Sequence, residues 1–257
     1  MDFPKFAWLA PQREAAPVSL PAGLRVYAIG DIHGRLDLLN DLAELIRADL
    51  FSGPSEAMTI FLGDYVDRGP DSAGVLERLS RADFPTPIRA LRGNHEEVVL
   101  RFFEDASVLE SWRRFGGIET LRSYGVNVSE ATRGVGYDRA QESLLARMPP
   151  RHKTFLTETV FATSLGDYFF CHAGVRPGVA LDRQSPKDLL WIREEFLRHE
   201  GAWDKVVVHG HTPVRDPEIR PNRINVDTGA FASSILTAVV LEGAERRFLK
   251  ASRPLDE

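Results

Sequence analysis

A single cysteine, Cys171, stands among 257 residues, so an internal disulfide framework is excluded and a reducing compartment suits the chain. No stretch approaches the roughly 18 consecutive apolar residues that a membrane-spanning helix needs. The first residues carry Asp2, Lys5 and four prolines (Pro4, Pro11, Pro17, Pro21) in place of the apolar core of an export signal. These absences lead us to expect a soluble, cytoplasmic protein with no membrane partner. Positive charge is not in excess either: 32 Lys and Arg face 37 Asp and Glu, for a net charge of −5. Binders of the phosphate backbone are usually basic, so nucleic acid is not expected as the main partner. Internal repeats and low-complexity tracts are missing. The remaining composition, 43% hydrophobic and 27% charged, is that of an ordinary globular protein long enough to bury a sizeable core.

What is present is a pattern used five times. Val26–Ile29 runs into Gly30-Asp31-Ile32-His33-Gly34, and Met58–Leu62 into Gly63-Asp64-Tyr65-Val66-Asp67-Arg68-Gly69. Ile88–Leu91 runs into Arg92-Gly93-Asn94-His95-Glu96, Tyr168–Cys171 into His172-Ala173-Gly174, and Val206–Val208 into His209-Gly210-His211-Thr212. Each short apolar run reads as a buried strand. Each strand then stops at glycine beside Asp, Asn or His, the side chains that bind divalent transition metals, while glycine lets the backbone turn or approach a ligand closely. Crevices beyond the carboxyl ends of strands are where open α/β sheets bind ligands. Two carboxylates and a guanidinium on the Gly63–Gly69 loop suggest a cation beside a bound anion.

Gly-Asp-Ile-His-Gly, Gly-Asp-Tyr-Val-Asp-Arg-Gly and Arg-Gly-Asn-His-Glu, followed by His-Ala-Gly and Gly-His-Thr-Pro, resemble in content and order the phosphoprotein phosphatase family of calcineurin-like metallophosphoesterases. The similarity spans about Arg25 to about Gly229 and is nearest to the short bacterial and phage Ser/Thr protein phosphatases and the related diadenosine tetraphosphate hydrolases. It implies an α/β sandwich of two sheets with flanking helices and a small helical cap. It also implies a pair of divalent metals, with Asp64 bridging, Asp31 and His33 completing one site, and Asn94, His172 and His211 the other. Mixed nitrogen and oxygen ligation suits manganese, iron or zinc better than calcium or magnesium; the resemblance favours manganese. Two divalent cations against the charges of Asp31 and Asp64 leave a positive centre suited to phosphate.

Arg68 and Arg92 match the family's phosphate-binding arginines, and Arg193, in Trp-Ile-Arg-Glu, resembles a third in the phage-type enzymes. The implied chemistry is in-line attack on phosphorus by a water or hydroxide held between the metals, without a phosphoenzyme. His95 resembles the general acid for the leaving oxygen, with Asp67 hydrogen-bonded to it. Asp227, in Asn-Val-Asp-Thr-Gly, matches a bacterial motif and is expected to orient a neighbouring ligand. His209 precedes the glycine of its motif and is expected in the strand or behind the ligands. A cysteine-dependent mechanism does not fit: four residues, not five, separate Cys171 from Arg176, and Cys171 lies inside an apolar run. The expected substrate is a phosphorylated protein or peptide (Ser/Thr, with Tyr a further option), and a dinucleoside polyphosphate is the alternative.

The rest of the chain reads as support. Residues 1–23 are Pro- and Ala-rich and read as an extended arm, residues 24–251 as the catalytic domain, and 252–257 as a tail. Leu36, Leu38, Leu39, Leu42, Leu45 and Ile46 recur at helical spacing. Val75, Leu76 and Leu79 mark a second helix before Pro85, and strand–helix alternation predicts a mainly parallel first half. Residues 97–163 read as a mostly helical cap without a metal-ligand motif, in which the stretch Ser111–Gly125 either contacts substrate or packs. A helix is expected over Pro186–His199, and the last strands, lacking helices between them, are expected to be antiparallel.

Overall fold

The computed structural model describes residues 17–254. The first half alternates β1 (Leu24–Ile29), α1 (Leu36–Asp49), β2 (Glu56–Phe61), α2 (Ser72–Ser80) and β3 (Ile88–Ala90). Six helices follow: α3 (Asn94–Glu104), α4 (Leu109–Trp112), α5 (Gly117–Ser123), α6 (Ser129–Thr132), α7 (Tyr137–Arg147) and α8 (Pro150–Glu158). The second half holds β4 (Ala162–Leu165), β5 (Tyr168–Cys171), α9 (Pro186–Trp191), α10 (Glu194–Leu197), β6 (Val206–His209), β7 (Glu218–Ile219) and β8 (Arg223–Asn225). It closes with α11 (Ala230–Ser233), β9 (Ile235–Glu242) and β10 (Glu245–Ser252).

The strands form two five-stranded mixed sheets, in orders β10-β9-β1-β2-β3 and β4-β5-β6-β8-β7. The strand period of two decides what lies between them. Val26 and Ala28 of β1 point inward with Ile60, Leu62, Leu91, Val239 and Leu241. They meet Tyr168, Phe170, Val206, Val208 and Ile224 of the other sheet in a single buried cluster. The alternate residues Tyr27, Ile29 and Phe61 face outward, into a core shared with Leu38, Leu39, Leu42 and Ile46 of α1 and Val75, Leu76 and Leu79 of α2. That core continues without interruption into Phe102, Leu109, Trp112, Leu121, Leu144 and Leu156 of the middle helices. Each such side chain, fully buried, contributes about 1.5–3 kcal/mol. Leu45, grouped with the apolar face of α1 by its spacing, is instead 39% exposed. On the far side, Phe169, Cys171 and Val207 pack with Leu189, Ile192 and Phe196, so Cys171 is a buried packing residue.

Strands β1, β2 and β3 are parallel, as strand–helix alternation predicts. The second half corrects the expectation of antiparallel strands: β5, β6 and β8 are parallel, and only the edge strands β4 and β7 run against them. The β9–β10 hairpin is antiparallel but belongs to the first sheet, beside β1. The connection from β5 to β6 carries α9 and α10, and the one from β6 to β8 is a loop with β7 in it, long enough to return the chain. Six parallel strands, three in each sheet, therefore deliver their C-terminal ends to one end of the sandwich.

The helix expected over Pro186–His199 is broken. Ile192 is extended (φ −63°, ψ 141°) and Arg193 is non-helical (φ −133°, ψ −94°), which separates α9 from α10. Of the expected arm, residues 1–16 lie outside the described part. Its end is anchored: Ser19 N–H donates to Asp167 Oδ2 at 2.9 Å, and the buried Leu20 donates its N–H to Gly243 O at 2.9 Å. Strand β10 runs through Ser252, one residue into the segment read as a tail. Among the described residues, no helix is long and apolar enough to cross a membrane.

Candidate active site

The strand ends converge on a cavity of about 350 Å³ lined by Asp31, His33, Asp64, Arg68, Asn94, His95, Arg193, His211 and Asp227. Its remaining wall is largely apolar and aromatic: Val98, Trp112, Phe115, Trp191, Pro213 and Phe231, with Arg101 and Ser111. Asp64 sits at the centre. Its Oδ2 lies 3.5 Å from His33 Nε2 and its Oδ1 lies 3.5 Å from His172 Nε2. Two groups of donor atoms form around it, each within 4.8 Å: His33–Asp64–His95 and Asp64–His172–His211. Asn94 Oδ1 is 2.9 Å and His211 Nδ1 3.1 Å from His172 Nε2. Asp31 lines the same cavity from the side: its carboxylate accepts the His211 N–H at 3.1–3.2 Å and faces Asp227.

The chemistry of this donor set fits divalent cations. His33 Nδ1 lies 2.8 Å from Val66 O and His172 Nδ1 3.0 Å from Leu62 O. A carbonyl oxygen only accepts, so each ring carries its proton on Nδ1 and turns an Nε2 lone pair towards Asp64. Lone pairs facing carboxylate oxygens at 3.5 Å, with no hydrogen between, is an arrangement that a cation resolves. Metal–nitrogen and metal–oxygen bonds of about 2.0–2.2 Å at right angles put such donors about 3 Å apart. Asp227 Oδ2, buried, has no hydrogen-bond partner either.

Electrostatics point the same way. Burial pushes the Asp31 carboxyl well above the usual range, and the charges of Asp227 and Asp64 push it further. Asp227 rises to about 6, mainly by burial, although its Oδ1 accepts the Gly229 N–H at 2.8 Å. Asp64 goes the other way: burial would raise it, but His172, His95, His33 and His211 together hold it below the usual carboxylate range. Burial lowers His33 to about 3 and His211 to about 2, keeping both neutral and able to ligate. His95 differs from them. Burial would lower it, but the Asp64 charge and a 2.5 Å hydrogen bond from Nδ1 to Asp67 Oδ2 raise it to about 9.

Local backbone geometry shows how tightly these groups are held. Seven non-glycine residues in the described chain have positive φ, and five of them are His33, Asp64, Asp67, Arg68 and His211. Left-handed backbone costs a side-chain-bearing residue about 1 kcal/mol or more, so packing around the cavity enforces it. At Gly93 a β-carbon would overlap Asp64 Oδ1, so only glycine lets α3 begin here. The first turn of α3 then aims the His95 N–H at Asp64 Oδ1, 3.1 Å away.

A family model described as calcineurin-like phosphoesterase matches residues 24–230, most of the chain. The chain belongs to the calcineurin-like phosphoesterase family. It is 25% identical to a bis(5'-nucleosyl)-tetraphosphatase PrpE of Oceanobacillus iheyensis, over 84% of this chain and 88% of that protein. It is 29% identical to serine/threonine-protein phosphatase 1 of Salmonella typhimurium, over 82% of this chain and 89% of the relative. Among solved structures, a candidate diadenosine tetraphosphatase superposes with a TM-score of 0.62 at 20% identity, covering 93% of this chain and all of the other, a likeness of fold. The protein is therefore an enzyme that acts on phosphoesters, and the family works with two metals.

Within this calcineurin-like fold, Arg92, expected among the phosphate-binding arginines, is not part of the cavity wall. Its guanidinium donates to Thr159 Oγ1 (3.0 Å), Glu97 Oε2 (3.2 Å) and the carbonyls of Thr157 and Thr159, away from the cavity. Arg68 and Arg193 do line it. Arg68 lies over the Phe231 ring, 4.4 Å from its centroid, and Arg193 Nε donates to His211 Nε2 at 3.1 Å. His209 stays in β6, its Nδ1 3.0 Å from Gly210 O and its ring on Phe196.

Four contributors have no such role in the sequence reading, which takes Trp112 and Thr120 only as part of a stretch, Ser111–Gly125, that contacts substrate or packs. Arg101 lies two turns along α3 from Asn94, a helical spacing that could have signalled it. Glu96, buried, accepts the N–H groups of Asp64, Tyr65 and Gly93. Trp112 and Thr120 both bond Asp67 across more than 40 residues, and nothing local marks that.

Proposed function

We propose that this enzyme is a two-metal phosphomonoester hydrolase that transfers the phosphoryl group directly to water, with phosphoserine and phosphothreonine in proteins as its substrates, and phosphotyrosine where the cavity admits it. The observation that carries the reading is His95. Its Nδ1 is tied to Asp67 while its Nε2 faces the cavity, 3.8 Å from Asp64 Oδ2. A serine or threonine alkoxide is a far worse leaving group than a phosphate oxygen, and a held acid of raised pKa answers that need.

Metals held by Asp31, His33, Asp64, Asn94, His172 and His211 would supply an activated water and neutralise phosphate charge. We take manganese as the metal, with iron or zinc compatible with the same ligands. Asp64, with one oxygen towards each histidine, is suited to bridge; Asp31 and Asp227 add the negative charge that a pair of dications requires. Arg68 and Arg193 grip the phosphate oxygens as guanidinium forks. The water oxygen forms its bond to phosphorus as the phosphorus–oxygen bond to the leaving group breaks. The departing oxygen keeps the electron pair and takes the proton from His95 Nε2. Asp67 holds the ring in place throughout. We read residues 24–251 as the catalytic unit and helices α3 to α8 as a cap whose Val98, Trp112 and Phe115 wall the cavity.

A second reading, hydrolysis of a dinucleoside polyphosphate, is favoured by the aromatic rim: Phe115 is 57% and Trp191 47% exposed at the mouth, as stacking surfaces for a base. The name of the Oceanobacillus relative supports it too. Metal-stripped protein reloaded with Mn²⁺ and given phosphopeptides or diadenosine tetraphosphate separates the two by kcat/KM. Preference for phosphopeptides upholds the first reading; preference for the dinucleotide replaces it with the second.

A further inference from the structure

Asp67 is fully buried, and its two carboxylate oxygens are held by three donors. Oδ2 accepts His95 Nδ1 at 2.5 Å and Trp112 Nε1 at 2.7 Å, and Oδ1 accepts Thr120 Oγ1 at 2.6 Å. The Thr120 hydroxyl returns the contact by accepting the Asp67 N–H at 2.9 Å, and Ser72 Oγ accepts the same N–H at 3.0 Å. The two outer donors come from α4 and α5, on either side of a Gly116–Gly117 turn. Gly116 (φ 103°) packs so closely that a β-carbon would strike the Arg68 backbone nitrogen, and its carbonyl accepts the Arg68 N–H at 3.3 Å. A β-carbon on Gly117 would strike the Trp112 ring. The segment is thus fitted onto the Asp67–Arg68 loop from both sides, and Trp112 itself is 1% exposed, wedged against Phe102.

We infer that Trp112 and Thr120 are positioning residues for the His95 acid, acting through Asp67. The inference rests on the reading of His95 as the proton donor to the leaving oxygen. A carboxylate held by His95 alone would pivot, because its other lone pairs would be left buried without donors. The imidazole would pivot with it, and acids lose effect when displaced by about 0.5 Å. Indole supplies the fixed donor on one oxygen without competing as an acceptor, and threonine locks the other oxygen to the backbone of the same residue. Docking of α4 and α5 therefore sets the direction of His95 Nε2, and residues far from it in sequence govern proton delivery.

The test compares two aryl phosphates on the Mn²⁺-loaded full chain: p-nitrophenyl phosphate, whose leaving group departs with little help, and phenyl phosphate, which needs a proton. Trp112→Phe and Thr120→Val are each expected to lower kcat on phenyl phosphate by about 10–100-fold, a part of the acid's full effect. For Thr120→Val, which does not touch the cavity, KM should stay within about 2-fold and p-nitrophenyl phosphate turnover within about 3-fold, by the same reasoning. Thr120→Ser, which keeps the hydroxyl, should restore the phenyl phosphate rate. In an Asp67→Asn background, Trp112→Phe should add nothing, because both act through one group. Equal loss on both substrates, or no loss on either, would reduce Trp112 and Thr120 to packing residues and overturn the inference. His95→Asn is the control: if it fails to separate the two substrates, the acid reading itself falls. Should Trp112→Phe not fold, the Thr120→Val and Thr120→Ser pair decides alone.

Discussion

Glu96 holds Asp64 from behind: Glu96 Oε2 accepts the Asp64 backbone N–H at 2.8 Å. Its other oxygen accepts the Tyr65 N–H at 2.8 Å, and Oε2 also takes the Gly93 N–H at 2.9 Å. One buried side chain on α3 thus ties the loop after β2 to the loop after β3. Glu96→Ala would leave three buried N–H groups without acceptors, at about 1–3 kcal/mol each. We expect Glu96→Ala to lose about 3 kcal/mol or more by thermal or denaturant unfolding, with weaker metal binding by calorimetry. Glu96→Gln, which keeps one acceptor oxygen, should lose about half as much. Equal stability of the two variants would show that the brace does not act through these bonds.

Asp64→Asn should cost metal before it costs fold. Removing the charge from the one side chain shared by both donor groups leaves the neutral His33, His172 and His211 with weaker anionic partners. We expect elemental analysis of the dialysed variant to find less than one metal per chain, with its circular dichroism unchanged. Full two-metal occupancy would remove the bridging assignment.

The arginines divide by where their donors already point. Arg68 and Arg193 face the cavity, whereas Arg92 is engaged by Thr157, Thr159 and Glu97. Arg68→Ala and Arg193→Ala should each raise KM and the inhibition constant of inorganic phosphate by about 10–100-fold, the worth of one charge-assisted contact. Arg92→Ala should leave both constants within about 3-fold and lower the melting temperature instead, since its bonds fasten the end of α8. A large rise in the phosphate constant for Arg92→Ala would return that residue to the site.

Stability should depend on pH and metal together. Asp31, Asp227 (to about 6) and Glu96 (to about 7, mainly by burial) have raised pKa values in the metal-free fold. Each contributes stability that is full below its unfolded pKa and lost as pH rises through the folded one. His95, raised to about 9, continues that loss from about pH 6.5 upward. His33 and His211 are lowered, so their contribution is present above 6.5 and lost as pH falls towards 3 and 2. The metal-free protein should therefore melt highest in mildly acidic to neutral solution. Added Mn²⁺ should raise the melting temperature more at pH 8 than at pH 6, because it replaces protons that the carboxylates would otherwise keep. A metal effect that shrinks as pH rises would contradict this.

Much of the centre was legible because each part of it is local. An apolar run that stops at glycine beside Asp, Asn or His carries its own strand, its own turn and its own candidate ligand within a few residues, and all five runs do end around Asp64. Other features depend on partners distant in the chain. The direction of β5, β6 and β8 turned on a connection that crosses over without a helix, so the missing helix between β6 and β8 misled. Arg92 has the motif neighbours of a phosphate ligand, yet Thr157 and Thr159, more than 60 residues on, claim its donors. Arg193 lies in what reads as one helix, and only the break at Ile192 turns it to His211.

The sequence by itself determined which candidate metal-binding side chains stand at the ends of which strands, because strand period, glycine turns and donor chemistry are properties of neighbouring residues. The tertiary structure alone decided which buried polar groups hold Asp64 and Asp67 still. Glu96 beneath Asp64, and Trp112 and Thr120 around Asp67, are joined by hydrogen bonds between segments whose meeting depends on how the sheets and helices pack. A buried donor or acceptor must find a partner, but the partner it finds is the one that packing brings within about 3 Å.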